Sequence, residues 1–206
     1  DWSGNGNDGE NHGAEYVDLG EGRGFVLRFG NGEAYVDCGD GPSLDLSSAA
    51  TIEMWVYAET TPYWGEAGLV GKRYSSYVLA YNGFTCGWYV NGTGGCVVRS
   101  APLMPRTWSH IVATFEGRDQ KIYTDGQLSG TLESKHDNIN TDGGNFFLRY
   151  PVLYRNEVKP PFKCMMDDVR VYNRVLTPEE VLSHYEEGRY KREGTAPAPG
   201  QMALTP

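Results

Sequence analysis

Positive charge, long apolar runs and cysteine are all scarce in this chain of 206 residues. Its 18 Lys and Arg face 27 Asp and Glu, which leaves a formal net charge of -9 at pH 7. Binding a phosphate backbone needs a basic footprint, so nucleic acid is excluded as a partner. The same deficit argues against broad attraction to anionic membranes, although a local Arg/Lys cluster keeps an anionic polysaccharide open. No apolar run approaches the length that crosses a bilayer, so no membrane insertion is expected. The four cysteines, Cys38, Cys86, Cys96 and Cys164, lack metal-type spacing. Cys86 and Cys96 flank a strand, a Gly-rich turn and a returning strand, and a hairpin turning near Asn91 would set them within disulfide reach. Cys38 and Cys164 would then form a long-range pair; four buried free thiols are the alternative. Disulfides imply an oxidising compartment, so a secreted, periplasmic or cell-surface location is expected. Opening on Asp1 without a Met fits a processed or excised piece.

What the chain does have is glycine and aromatic residues: 27 Gly, 14 Tyr and 5 Trp. Glycines mark turns, while aromatics favour strands and stacking surfaces. With 39% hydrophobic and 22% charged residues the composition is that of a globular protein. Residues 1–24 are rich in Gly and Asx and read as turn chemistry around a short apolar Tyr16-Val17. Strand-like runs then follow at 25–29, 34–38, 51–57, 69–72, 77–81, 87–90, 96–99, 109–115, 121–124, 127–132, 145–150 and 168–172. Asn82-Gly83, Asn91-Gly92, Glu116-Gly117 and Asp125-Gly126 separate some of them. Short strands without alternating helices predict an all-β sandwich or barrel. One helix is clear. Thr177-Pro178-Glu179-Glu180 supplies an N-cap, a proline at N1 and a glutamate at N3; Val181, Leu182 and Tyr185 form an apolar face, and Gly188 reads as the stop. The domain is expected over 1–190, with 191–206 a Pro/Ala/Gly-rich linker or tail. A linker implies a covalently attached neighbour.

Several segments, in order, resemble the laminin-G-like modules of the concanavalin A-like lectin/glucanase class. They are Asp1-x-Ser3-Gly4-Asn5-Gly6-Asn7-x-Gly9, the stretch from Leu27-Arg28-Phe29 to Tyr35-Val36-Asp37, and Ser43-Leu44-Asp45-Leu46. Then come Thr51-Ile52-Glu53-Met54-Trp55-Val56-Tyr57, Trp108-Ser109-His110-Ile111-Val112-Ala113-Thr114-Phe115 and Ile122-Tyr123-Thr124-Asp125-Gly126. Met166-Asp167-Asp168-Val169-Arg170-Val171-Tyr172 leads into the capped helix. The resemblance implies a jelly roll of two antiparallel sheets with one short C-terminal helix, often with one structural Ca2+. Where the family usually has Phe-Asp-Gly, this chain has Phe29-Gly30-Asn31. Calcium would therefore fall to Asn31, Glu33, Asp167 and Asp168 with backbone carbonyls, if the early and late strands lie side by side. The alternative pairs Asp167 and Asp168 with Arg170, Arg28 or solvent.

Sandwich hydrolases of the laminarinase type carry Glu-x-Asp-x-x-Glu on one strand, with nucleophile and acid/base across one bond. No such string exists here. In Glu15-x-x-Asp18-x-x-Glu21 the first pair is three residues apart, so strand alternation puts its carboxyls on opposite faces. His12, His110, His136 and His184 have no evident Ser or Cys partner, and His110 sits at a fold position of the family. Segment 61–99 is the least family-like, and the loop 149–156 is long and rich in aromatic and cationic residues. Sugar rings stack on Trp and Tyr while a few polar groups bond the hydroxyls. Tyr63, Trp64, Arg73, Tyr74, Trp88, Arg99, Arg149, Tyr150, Tyr154 and Arg155 are accordingly the candidate ligand residues, with core or loop packing as the competing role.

The expectation is a monomeric, non-catalytic carbohydrate-binding module that holds a larger secreted, polysaccharide-degrading protein on a polysaccharide or oligosaccharide. A protein-binding or adhesion module of the same fold is the first rival. A divergent glycoside hydrolase or polysaccharide lyase is the second.

Overall fold

The computed structural model describes residues 1–20, 24–30, 33–62, 65–73, 75–92, 97–141, 143–149, 153–154, 157–158 and 162–193. In chain order the strands are β1 (Glu10–His12), β2 (Glu15–Asp18), β3 (Phe25–Phe29), β4 (Tyr35–Asp37), β5 (Ala49–Ala58), β6 (Ala67–Gly71), β7 (Tyr77–Tyr81) and β8 (Cys86–Val90). They continue as β9 (Val97–Arg99), β10 (Trp108–Glu116), β11 (Asp119–Thr124), β12 (Gln127–Glu133), β13 (Phe147–Leu148), β14 (Leu153–Tyr154), β15 (Glu157–Val158) and β16 (Cys164–Tyr172). Among the described residues the one α-helix, α1, is Pro178–Glu193. Two seven-stranded sheets form the body, ordered β1-β4-β13-β6-β7-β8-β9 and β12-β11-β10-β5-β16-β3-β2, and β14-β15 is a separate pair. All the pairings are antiparallel. The expected β-sandwich is the observed one.

Strand alternation sorts the side chains between two faces. In β5, Ile52, Met54 and Val56 point into the core, as do Ile111, Ala113 and Phe115 of β10. From the facing sheet come Tyr77, Leu79 and Tyr81 of β7 and Cys86, Trp88 and Val90 of β8. Burying one such large side chain is worth about 1.5–3 kcal/mol. Asp125-Gly126 closes the β11–β12 hairpin with φ of 51° and 78°, the doubly left-handed backbone of a type I′ turn.

The helix begins as its sequence dictates. Glu180 N–H donates to Thr177 Oγ1 at 3.2 Å, and Thr177 N–H donates back to Glu180 Oε2 at 2.8 Å, a reciprocal capping box. Its end is later than the glycine implied. The helix runs through Gly188 to Glu193, because a Cβ at Gly188 would stand 2.4 Å from Trp55 Nε1. Gly188 is there to let the helix lie against an indole on β5, and so Arg192 is part of the folded domain.

The cysteine expectation needs correction. Cys38, Cys86 and Cys164 are free thiols. Cys38 follows β4 in one sheet and Cys164 opens β16 in the other, and with both thiols free the Cys38–Cys164 bridge is not formed. Cys96 lies outside the described residues. The β8–β9 register pairs Gly87 with Arg99, and Ser100 N–H donates to the Cys86 carbonyl at 2.9 Å. That register sets Ser100 opposite Cys86, not Cys96.

Candidate functional site

Of the ten candidate ligand residues, Tyr63, Trp64, Tyr74, Tyr150 and Arg155 lie outside the described residues, and Tyr154 is placed only as backbone in β14. Trp88 is 0% exposed within the core and cannot stack on a ligand. Its neighbour Tyr89 takes the outer face, where its hydroxyl meets Glu66 and receives Arg99 Nη2 at 3.0 Å. Arg99 also donates to Glu66 at 2.6 Å, so it belongs to a surface network. Arg149 is buried and donates to the Phe162 carbonyl at 3.2 Å. Arg73 is exposed and lies against Gly144. The described members of the set do not converge on one site.

A cleft of about 720 Å³ opens elsewhere. One wall is the N-terminal segment, including Trp2, Ser3, Asn5 and Asn7, and the other is Asp167–Tyr172 of β16. Cys38, Leu44, Phe146 and Leu148 supply apolar lining. The segment is shaped by its own short polar residues. The Asp1 carboxylate accepts from Ser3 N–H at 2.9 Å, Ser3 Oγ at 2.8 Å and Asn7 N–H at 3.1 Å. Asn7 Nδ2 donates to Ser43 Oγ at 2.9 Å, tying this wall to the loop after β4. Trp2 stands fully exposed at 106%. Sequence reasoning saw only turn chemistry here; a tryptophan among glycines and Asx residues, with nothing apolar in period with it, was the available signal.

The opposite wall owes its shape to an irregularity. Pairing between β16 and β5 slips between Asp167 and Arg170, and Asp168 takes a φ of 47°. Such a bulge re-aims side chains. Both carboxylates reach Arg192, Asp168 Oδ2 at 2.9 Å from Nη2 and Asp167 Oδ2 in closer contact still. Arg192 is fully buried, lies over the Trp55 ring at 4.4 Å and donates to the Gly188 carbonyl at 2.8 Å. Burial pushes the Asp167 carboxyl up from its ordinary value, against the opposing pull of Arg192.

These contacts concern two of the four calcium candidates named from sequence, Asp167 and Asp168. Asn31 lies outside the described residues, and Asp167 and Asp168 already share a guanidinium. Among the described residues no group of three or more His, Cys, Asp or Glu is arranged to hold a metal. A second pair of carboxylates is held in the same way. Lys72, 2% exposed, places Nζ at 2.5 Å from both Asp40 Oδ1 and Asp45 Oδ1.

Beneath α1 lies a third charged group. Glu53, 1% exposed, is met by His110 Nε2 at 3.0 Å and Arg170 Nη1 at 3.3 Å on Oε1. Tyr172 OH and His184 Nδ1 meet Oε2, each at 3.0 Å. Burial pushes the Glu53 carboxyl up, but His110, Arg170 and His184 outweigh it and hold it below the ordinary carboxylate value. Burial likewise raises the Tyr172 phenol, to about 12. The set contains acid and base types, but its carboxylate is sealed from solvent and faces the helix.

Residues 29–182 match the family model described as the concanavalin A-like lectin/glucanases superfamily. No curated protein matches the chain in sequence. Among solved structures, the binding domain of Paraclostridial Mosquitocidal Protein 1 is 19% identical with a TM-score of 0.69, over 91% of this chain and 49% of that one. A botulinum neurotoxin type C structure, whose cell entry is described as dependent on interaction with two ganglioside molecules, is 12% identical with a TM-score of 0.67, over 90% and 48%. A Trypanosoma rangeli sialidase in complex with 2,3-difluoro-KDN is 17% identical with a TM-score of 0.66, over 90% and 30%. The chain thus spans about half the length of the toxin structures and less of the sialidase. At these identities the likeness is one of fold. No described helix is long and apolar enough to cross a membrane.

Proposed function

The chain belongs to the concanavalin A-like lectin/glucanase superfamily, and on that footing we propose that it is a non-catalytic carbohydrate-binding module. The observation that carries this reading is the cleft between the N-terminal segment and β16, with a fully exposed indole beside a concave lining of amides, hydroxyls and carboxylates. An indole at the mouth of a concave, polar-lined cleft is a stacking platform, and a sugar's C–H face suits it. The ganglioside and KDN named for two structural neighbours support the same ligand class. The proposal extends to a larger secreted, polysaccharide-degrading parent and to a monomeric module. The composition of 191–206 supports the first of these.

Affinity electrophoresis across immobilised polysaccharides, with Trp2→Ala as the control, tests the reading. The wild type is expected to be retarded by at least one glycan, and the variant to lose about tenfold in affinity, since stacking on an indole is worth roughly 0.5–1.5 kcal/mol beyond its buried area. Retention by no glycan would sink the reading, and full retention by the variant would remove the cleft from it. A protein-binding module is the second reading. It rests on β2, an edge strand that leaves Tyr16 and, on its partner β3, Phe25 exposed at 70% and 65%. Unpaired edges of this kind accept added strands. Capture of a surface protein by a module that no glycan retains would favour it.

A further inference from the structure

We infer that the cleft takes an uncharged glycan and turns away sialylated, uronate-bearing or sulfated ones; this rests on the carbohydrate-binding reading above and adds the charge of the ligand to it. The charged groups that line the cleft are mostly acidic. The Asp1 ammonium is taken up by Asp8 at 2.7 Å; of the described side chains lining the cleft, Asp1, Asp167 and Asp168 are acidic and Arg170 alone is basic. That guanidinium is committed elsewhere. Its Nη1 donates to buried Glu53 at 3.3 Å, and its Nη2 stands 3.7 Å from Asp168 Oδ1. The other guanidinium nearby, Arg192, is fully buried and faces Asp167 and Asp168 from the helix side. It steadies the wall and offers nothing to a ligand.

An anionic sugar needs a cation with free donors, ideally the two parallel N–H groups of an arginine. Among its described lining residues the cations are Arg170, whose Nη1 is already on Glu53, and the Asp1 ammonium, which is already on Asp8. Its exposed polar groups suit hydroxyls instead: carboxylate oxygens accept from them, while the amides of Asn5 and Asn7 and the hydroxyls of Ser3 and Ser43 both accept and donate. The field of the whole molecule points the same way, since a net charge of -9 repels an approaching anion before contact. From sequence, a local Arg/Lys cluster had kept an anionic ligand open. Arg99 and Arg149 are held in a surface network and in the interior, neither at the cleft.

The test uses one oligosaccharide core immobilised in two forms, lactose-terminated and with a terminal N-acetylneuraminic acid added. Retention of the whole module is compared in 0.01 M and 0.15 M salt, where the Debye length falls from about 30 Å to about 8 Å. The neutral form is expected to be retained about three- to tenfold more strongly at low salt, with the gap narrowing at high salt. Asn5→Lys, on an exposed loop residue, is expected to shrink the gap by bringing in an unpaired cation. Equal or stronger retention of the sialylated form by the wild type overturns the charge inference and leaves the binding reading standing. An unchanged gap in Asn5→Lys also overturns it, because the cleft's own charge would then not set the preference. Retention of neither form, here and on every other glycan, brings down the binding reading and this inference together.

Discussion

Lys72 is an ammonium with almost no exposed surface, and it survives there because two aspartates share it. Asp40 also accepts Gly144 N–H at 3.1 Å, and Tyr77 OH donates to the Leu44 carbonyl at 2.7 Å. One side chain thereby gathers the loop before β5, the end of β6 and the loop before β13. Lys72→Met removes the charge and keeps the bulk. Breaking a buried pair costs about 3–5 kcal/mol, but both aspartates are more than a third exposed, so about 2 kcal/mol is expected. Urea unfolding of the variant measures it, and a loss under about 0.5 kcal/mol would show the contact to be idle. At this scale sequence was least informative. Trp88 and Tyr89 could be ranked as one in and one out, but alternation alone does not say which. Arg99, Arg149 and Lys72 look equally solvated as letters; what distinguishes them are partners between 13 and 33 residues away.

Elements were far more legible. Turn chemistry and alternation located most strands to within a residue or two, because both signals are local. Thr177 and Glu180 announced the helix start for the same reason. Two failures are instructive. β1 and β2 sit inside the glycine-rich opening because their pairing partners, β4 and β3, supply order that their own composition does not. Gly188 read as a stop because the indole it accommodates comes from a strand more than a hundred residues earlier. This gives a prediction. Gly188→Ala should raise intrinsic helix stability by about 1 kcal/mol, yet the added methyl meets Trp55 at 2.4 Å. Overpacking costs about 1–3 kcal/mol, so a net loss is expected, read as a lower thermal midpoint. A gain would mean that the helix does not sit where described.

For the whole molecule, the sandwich was readable because residues along most of the chain carried the resemblance. The cleft was not, because its walls are the first seven residues and a strand beginning at Cys164, which meet only after folding. Acid response also belongs to this scale. Glu53 has a folded pKa below its ordinary 4.5. Its stabilising contribution is therefore complete above pH 4.5 and is lost as pH falls through the lower folded value. Urea midpoints are expected to hold between pH 7 and 5 and to decline below about 4.5. Glu53→Gln should flatten that decline and lower the plateau; an unchanged slope would move the acid sensitivity to other carboxylates.

Asp167 and Asp168 line the cleft and also bind Arg192, so β16 is a wall shared by the ligand site and the helix. The mechanical consequence concerns tension. When an occupant of the cleft is pulled against the helix, part of the load crosses from Asp167 and Asp168 to Arg192, and part enters the opposite sheet through Leu148 of β13. β16 hands its share to the two strands it pairs with, β3 and β5.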